Sequence, residues 1–156
     1  MEPSDVQTIQ SIVTQVLHAI DMRRWAALPP LFADEVTTDY TSLFGGDIQR
    51  QPRKQLIDGW QHLLSSLDAT QHLLGPIDVR VRDTHAVAEC HVRGYHVSDK
   101  ARGGREWMVA GHYVFELETQ AGVWHVSKVT LRTLYQTGNR ELLREAAVAS
   151  PPRASG

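Results

Sequence analysis

Four side chains in this sequence could move protons: Asp21, Tyr40, His72 and His96. Asp21 follows Leu17 by four residues on the apolar side of a predicted helix, where a buried carboxylate is costly unless a partner satisfies it. His72 lies in a predicted loop, where one helix has ended and a strand begins. If Asp21 and His72 meet, the carboxylate fixes the ring tautomer and stabilises the imidazolium, and the histidine becomes an oriented base.

Each of these residues also has an ordinary structural explanation. The first helix could end at Ile20, so that Asp21 turns to solvent or caps the next segment. A lone loop histidine such as His72 is usually structural or solvated, and Tyr40 could simply pack against apolar neighbours. His96 ends the apolar face of its strand and could be a core histidine bonded to a backbone carbonyl. The residues alone leave both explanations open.

A tyrosine and a second histidine could assist such a base. Adjacent residues of a strand face opposite ways, so only one of Asp39 and Tyr40 can enter a pocket. A buried tyrosine hydroxyl needs a partner and can serve as an acid or hold water. We expect Tyr40 and His96 to steady or protonate the oxygen where charge develops. Four aromatic residues are predicted to bind the substrate: Phe44, Trp60, Trp107 and Tyr113.

The composition limits the class of protein. The chain has 156 residues, of which 42% are hydrophobic, enough for one domain with a real core. A net charge of -2 without a basic stripe argues against nucleic acid as the main partner. The single cysteine, Cys90, excludes a disulfide framework and a cysteine-based zinc site. The histidines have no metal-ligand spacing, so we expect neither a metal nor a cofactor.

The sequence also predicts a cytoplasmic protein that acts on a small molecule. No apolar run approaches the roughly 20 residues that a transmembrane helix needs, so no membrane partner is expected. The polar, acidic N-terminus MEPSDVQTIQ is unlike a secretory signal peptide.

Apolar periodicity predicts helices in the first half of the chain. Ser4 and Gln7 form a capping-box pattern. Apolar residues then recur at steps of three and four, at Val6, Ile9, Val13, Val16, Leu17 and Ile20. A short second helix, interrupted by Pro29-Pro30, is predicted over 24–32, and a short strand is predicted over 35–40. Pro52 opens a third helix, whose apolar side is Leu56, Ile57, Trp60, Leu63, Leu64 and Leu67.

After Gly75-Pro76 the apolar period changes to two, which predicts long strands over 85–98, 106–118 and 124–135. Gln120-Ala121-Gly122 is typical of a hairpin turn. A final helix is predicted over 137–148. Helices followed by consecutive strands indicate an α+β fold, in which a curved antiparallel sheet forms a half-open cone around the N-terminal helices. We expect one domain over 1–148 and a disordered tail over 149–156.

Four short motifs carry a resemblance that spans roughly Val6 to Asn139. They are Ile20-Asp21 followed by Trp25 and Leu28; Thr38-Asp39-Tyr40 before Gly45-Gly46; Thr70-Gln71-His72; and Gly122-Val123-Trp124. In their order and spacing, the chain resembles the SnoaL-like branch of the nuclear transport factor 2 superfamily. Within that branch it is most similar in motif to the scytalone dehydratases and lindane dehydrochlorinases. The resemblance implies the cone-shaped α+β barrel of this superfamily.

The resemblance also implies roles for individual residues. In both enzyme groups a helix aspartate, matched by Asp21, pairs with a histidine, matched by His72, to remove a proton during elimination. Scytalone dehydratases also use a tyrosine and a second histidine, which Tyr40 and His96 match. Their other catalytic tyrosine would fall at Ile20, which has no hydroxyl, and this departure argues against the same dehydration of the same substrate.

We therefore expect a cofactor-independent enzyme with an Asp–His dyad that acts on a small, mostly apolar, oxygenated molecule. Elimination of water by a dehydratase-type lyase is the first expectation, and isomerisation or cyclisation through the same proton shuttle is the alternative. Many relatives differ in function, and the fold alone does not decide among them.

Two non-enzymatic functions stay open from the sequence. A ligand-binding or assembly module would leave Asp21 and His72 apart, or would fill the cone with side chains. A small subunit of an oxygenase would need an exposed apolar patch and a companion large chain. Relatives are usually dimers or trimers through the outer face of the sheet. The resemblance therefore also implies a homo-oligomer, most simply a dimer, that covers Val87, Tyr95 and Val97.

Overall fold

A computed structural model describes residues 1–149, and four α-helices and seven strands follow one another in this part of the chain. They are α1 (Asp5–Asp21), β1 (Phe32–Asp39), α2 (Thr41–Phe44), β2 (Gln49–Pro52), α3 (Arg53–Leu64), β3 (Ala69–Leu74), β4 (Asp78–Arg82), β5 (His85–Val97), β6 (Glu106–Gln120), β7 (Val123–Gly138) and α4 (Leu142–Ala149). Ala149, which the sequence assigned to the tail, ends α4. The predicted disorder of residues 150–156 lies outside the described residues.

Helix α1 begins with the predicted capping box. The Ser4 hydroxyl accepts a hydrogen bond from the Gln7 amide at 3.2 Å, and the Gln7 side chain accepts one from the Ser4 amide at 3.0 Å. The indole N–H of Trp124 donates to the Asp5 carboxylate at 3.0 Å and ties the start of α1 to β7. Val6 is 39% exposed, contrary to prediction, because the whole first turn lies in solvent. The buried face of α1 consists of Ile9, Ile12, Val13, Val16, Leu17, Ala19 and Ile20.

The predicted second helix over 24–32 is wrong. Two single turns of 3₁₀-helix, Trp25–Ala27 and Pro29–Leu31, occupy this segment instead. Prolines have no amide N–H and clash with the preceding turn, so Pro29-Pro30 stops an α-helix from continuing. Leu28 is fully buried between the two turns and anchors the segment in the core.

The seven strands form one sheet in the order β2-β1-β7-β6-β5-β3, and β4 pairs with the other half of β5. The three long strands and the final helix are confirmed, with shifted ends. The hairpin turn is also confirmed, since Ala121 and Gly122 both have the positive φ, 51° and 79°, of the favoured two-residue turn. All pairs are antiparallel except β1 with β7, so the sheet is mixed rather than purely antiparallel. Parallel strands need a long connection, and most of the chain lies between these two.

The sheet bends around the helices. Register shifts between β6 and β7, at Ala110/Gly111 and Glu116/Leu117, are irregularities of the kind that curve a sheet. The concave face carries the predicted alternation, with every second residue of β5 and β6 buried against α1 and α3. On the convex face Val87 is exposed, while Tyr95 and Val97 are half-buried. None of the helices within residues 1–149 is long and apolar enough to cross a membrane.

Candidate active site

The end of α1 meets β3 at the centre of the site. Asp21 is the last residue of α1, as the apolar stripe predicted, and its side chain reaches β3. His72 lies within β3, so its predicted place in a loop is wrong. The inward-facing residues of this six-residue strand include Thr70 and His72, and an apolar alternation is therefore missing from its sequence.

Asp21 and His72 form a buried hydrogen-bonded pair. The Asp21 Oδ1 atom lies 2.7 Å from the His72 Nδ1 atom, and Oδ2 accepts a hydrogen bond from the His72 backbone amide at 2.6 Å. The Thr70 hydroxyl donates a third bond, to Oδ1, at 3.0 Å. The Asp21 and His72 side chains are 13% and 11% exposed. The predicted contact is confirmed, whereas its catalytic role stays a prediction.

This geometry fixes the protons of the pair. Burial by itself raises the pKa of Asp21, but the hydrogen bonds and charge of His72, together with the Thr70 hydroxyl, bring the pKa below its usual value. Asp21 is therefore ionised at neutral pH and can only accept hydrogen bonds. It follows that in the neutral ring the His72 Nδ1 atom carries the proton and Nε2 has a free lone pair. His72 is thus oriented as a base.

His96 faces the same pocket from β5. The register pairs Thr70 with His96 and His72 with Gly94, and the two histidine ring centroids lie 6.1 Å apart. The His96 Nδ1–H donates to the Trp107 carbonyl at 3.2 Å, and its ring packs on the Trp107 indole with centroids 4.7 Å apart. Burial lowers the pKa of His96 to about 4, and the neighbouring His72 adds to this lowering. His96 is therefore neutral at neutral pH, with a free lone pair on Nε2.

Two tyrosine hydroxyls face each other in the pocket. Tyr40 follows β1 and Tyr113 lies on β6, and a hydrogen bond joins the two hydroxyls. Burial raises the pKa of Tyr40 well above its usual value and that of Tyr113 likewise, so both stay protonated. The Asp39 carboxylate instead accepts bonds from the Thr41 amide and hydroxyl, at 3.1 and 2.7 Å. Only Tyr40 of the adjacent pair lines the pocket, as predicted.

The pocket between these groups has a volume of about 180 Å³. His72, His96 and Tyr40 line it, while Asp21 lies behind His72. Leu63 of α3 is 41% exposed, contrary to prediction, because it lies at the pocket mouth rather than in the core. All four aromatic residues predicted to bind the substrate line the pocket: Phe44, Trp60, Trp107 and Tyr113.

The sequence did not point to several residues of the site, among them Thr70, Gly94 and Leu143. Thr70, which bonds Asp21, lies two residues before His72 and so on the same strand face, a signal that was available. Gly94 lines the pocket opposite His72, and an isolated glycine in a strand often marks a close approach. Leu143 of α4 also lines the pocket, and nothing in its sequence context pointed there.

The described part of the chain contains no cluster of three or more His, Cys, Asp or Glu side chains that could hold a metal ion. Cys90 is buried on the concave face, and burial raises the pKa of its thiol to about 11. A thiol in this state is a poor nucleophile. The groups that line the pocket and can take part in proton transfer include the imidazoles and the phenols.

Comparison with known proteins assigns the family. The chain matches the SnoaL-like domain over residues 2–130. The chain belongs to the SnoaL-like family. The expected fold of the nuclear transport factor 2 superfamily is thereby confirmed for this SnoaL-like protein. No curated protein has a significantly similar sequence.

Solved structures share the fold of this SnoaL-like protein at low sequence identity. The Kfla4162 protein from Kribbella flavida superposes with a TM-score of 0.84 at 24% identity, over 90% of this chain and 97% of that one. A candidate scytalone dehydratase from Novosphingobium aromaticivorans gives 0.73 at 20% identity, over 86% and 87%. The hexachlorocyclohexane dehydrochlorinase LinA-type3 from Novosphingobium barchaimii gives 0.68 at 20% identity, over 85% and 88%. The fold therefore hosts elimination chemistry in other proteins.

Proposed function

We propose that this SnoaL-like protein is a cofactor-independent acid–base enzyme that eliminates water from a small, mostly apolar, oxygenated molecule. The observation that carries the proposal is the 2.7 Å bond between Asp21 and His72, which leaves the His72 Nε2 lone pair free on the wall of an apolar pocket. A base so oriented contributes about 100- to 10,000-fold to the rate of a proton transfer.

The reaction needs only this one base. The His72 Nε2 atom takes a proton from a substrate carbon, and the electrons of that C–H bond form a double bond to the next carbon. The C–O bond of this second carbon breaks. The departing hydroxide then takes the proton from the His72 imidazolium and leaves as water. Asp21 stabilises the imidazolium between the two transfers, because its negative charge lies against the ring.

Tyr40 and His96 have complementary roles in this scheme. Since burial raises the pKa of Tyr40, its hydroxyl donates a hydrogen bond to the departing oxygen without giving up its proton. His96, with a free Nε2, accepts a hydrogen bond from a substrate O–H group. Of the two roles expected for His96, steadying an oxygen is the one that its tautomer supports.

The pocket limits the substrate to a small ring compound. A cavity of roughly 150 Å³ holds a benzene molecule, and the pocket here is about 180 Å³. Trp60 and Trp107 offer flat apolar surfaces on its walls. Phe44 is 58% exposed at the mouth, where it can cover a bound ligand. We therefore expect a substrate that consists of one ring or of two fused rings and carries a hydroxyl group.

The observations also weigh on the alternatives. A module without catalytic function would leave Asp21 and His72 apart or the cone filled, and neither is the case. An isomerase or a cyclase would share the proton abstraction by His72 and differ only in where the proton returns. Elimination is preferred because structural neighbours described as a dehydratase and a dehydrochlorinase share the fold.

The proposal can be tested with a substrate surrogate. A nitrobenzisoxazole is a flat bicycle that opens to a coloured cyanophenolate when a base removes the C–H proton of its isoxazole ring, since the ring N–O bond then breaks. We expect the protein to accelerate this opening above the buffer rate and His72→Ala to lower the rate at least about 100-fold. Absorbance of the phenolate measures both.

The exposed His62 of α3 provides the matched control, and His62→Ala should keep the rate of the unmodified protein. A rate that is the same for the unmodified protein and for His72→Ala would contradict the proposal. If the surrogate opens but a panel of hydroxylated ring ketones yields isomers and no dehydrated product, the isomerase alternative replaces elimination.

A further inference from the structure

Gly94 lies directly opposite His72 in the pairing of β3 with β5. Residues opposite each other on one face of a sheet bring their Cβ atoms within about 4.5–5.5 Å, so a residue at 94 shares space with the His72 ring. Its backbone φ is not positive, so glycine is not needed there for the chain conformation. The absence of a side chain at Gly94 therefore calls for a steric explanation.

The space over Gly94 is taken by the two imidazoles. A Cβ atom built on Gly94 would lie 3.2 Å from the Cδ2 atom and 3.4 Å from the Nε2 atom of His72. It would lie 3.6 Å from the Cε1 atom of His96, an ordinary contact. The two shorter distances involve the ring edge of His72 opposite Nδ1, which is the edge that presents the base.

The His72 ring has little freedom to yield. Its Nδ1 atom is held by Asp21 at 2.7 Å, and its backbone amide is held by the same carboxylate at 2.6 Å. A methyl group at 94 would require the ring to move by a few tenths of an ångström while these two bonds hold it. It would also stand beside the Nε2 atom, where a substrate must approach.

We infer that Gly94 is a positioning residue: its missing side chain leaves room for the His72 ring to bond Asp21 while Nε2 faces the pocket. This inference rests on the proposed role of His72 as the base. It makes Gly94→Ala a change that harms the site through the ring of His72 and not through the strand.

Rate and spectrum together test the inference. Because a displacement of about 1 Å can lower an enzymatic rate 100-fold, we expect Gly94→Ala to slow the opening of a nitrobenzisoxazole about tenfold, in kcat more than in KM. The Nδ1–H proton of His72 should give a low-field proton resonance, assigned by its loss in His72→Ala. That resonance should shift in Gly94→Ala. Gly75→Ala is the matched control, since the atoms nearest to its Cβ belong to His91 and lie at 3.6 Å or more, and it should change neither quantity.

Stability provides an independent readout if Gly94→Ala folds poorly. We expect Gly94→Ala to lower the melting temperature in the unmodified protein but not in a His72→Ala background, where the ring that the methyl group meets is gone. An equal loss in both backgrounds, or a resonance and rate equal to those of Gly75→Ala, would overturn the inference. If the unmodified protein does not open the surrogate at all, the proposed function fails, while the resonance and the melting temperatures still decide the role of Gly94.

Discussion

Two histidines share one pocket but stand in opposite environments. His72 is held by an ionised carboxylate, whereas His96 is held by the backbone carbonyl of Trp107. Their rings are only 6.1 Å apart. A carboxylate stabilises an added proton on the ring, while a neutral carbonyl in a buried place does so far less. In the proposed mechanism His72 takes and returns the proton, while His96 stays neutral.

The tyrosines complete this contrast. Both imidazoles present a free Nε2 lone pair, so neither neutral ring can donate a hydrogen bond through that atom. The group in the pocket that can donate a hydrogen bond is the Tyr40 hydroxyl, with Tyr113 behind it. The pocket thus has hydrogen-bond acceptors on the wall formed by β3 and β5 and a donor on the wall near β1.

The largest expected effect concerns the carboxylate behind His72. Asp21→Asn should slow the opening of a nitrobenzisoxazole by about 100- to 10,000-fold, because the amide can favour the ring tautomer that has its proton on Nε2. The double variant Asp21→Asn/His72→Ala should be no slower than His72→Ala alone, since the two residues act as one unit.

Asp39→Asn is the matched control for this prediction, because the Asp39 carboxylate binds Thr41 outside the pocket. It should retain the rate of the unmodified protein. Two independent and multiplicative losses of less than about tenfold each would show that Asp21 and His72 do not work as a unit.

The second prediction concerns the neutrality of His96 and is read from stability against pH. The folded pKa of about 4 lies below the ordinary value of 6.5, so the unfolded chain takes up the proton first as the pH falls. The free energy of unfolding should therefore be highest above pH 6.5 and lose on the order of 3 kcal/mol between pH 6.5 and 4. Urea titrations across this window would measure it.

His96→Gln should remove most of this pH dependence, since glutamine does not titrate. His62→Gln, at an exposed position on α3, should retain it. If His96→Gln and the unmodified protein lose equal stability between pH 6.5 and 4, His96 is not held neutral by its surroundings.

The smallest expected effect concerns Tyr40, the hydrogen-bond donor of the pocket. Tyr40→Phe should slow the surrogate reaction roughly tenfold, because one hydrogen bond to a charged oxygen contributes about 1.5–3 kcal/mol and the Tyr113 hydroxyl can partly replace it. His96→Gln, which leaves the donor in place, should slow it less. Tyr135→Phe alters an exposed hydroxyl and should leave the rate unchanged. A slower rate for His96→Gln than for Tyr40→Phe would reverse the assignment of donor and acceptor.

The sequence predicts the part of the fold in which pattern and burial coincide. Strands β5, β6 and β7 alternate over most of their buried length, and α1 has both a capping box and an apolar stripe, so these elements are found where expected. Pairing between distant strands leaves no local pattern, and the parallel contact of β1 with β7 was missed for that reason. His72 was placed in a loop beside a strand, and not within β3, because the inward positions of this strand include the polar Thr70 and His72.

The residues of the candidate site could likewise be predicted only where the local sequence pattern marks them. Asp21 stood out because a carboxylate on an apolar stripe violates the pattern of its helix, and such violations often mark a site. Gly94 gave a weaker signal, since a glycine within a strand indicates a close approach but not the side chain that makes it. Its importance depends on a side chain across the sheet, and only the register of β3 against β5 reveals it.

The parallel pairing of β1 with β7 has a consequence for folding during synthesis. On the ribosome β1 emerges long before β7, the strand that covers one of its edges. The hairpins β5–β6 and β6–β7 can form locally and quickly, while the contact between β1 and β7 must wait for a large loop to close. Tyr40 directly follows β1, so its side of the pocket is completed only when β1 pairs with β7. The segments that carry Asp21 and His72 are synthesised earlier, so this pair can form before the pocket is closed.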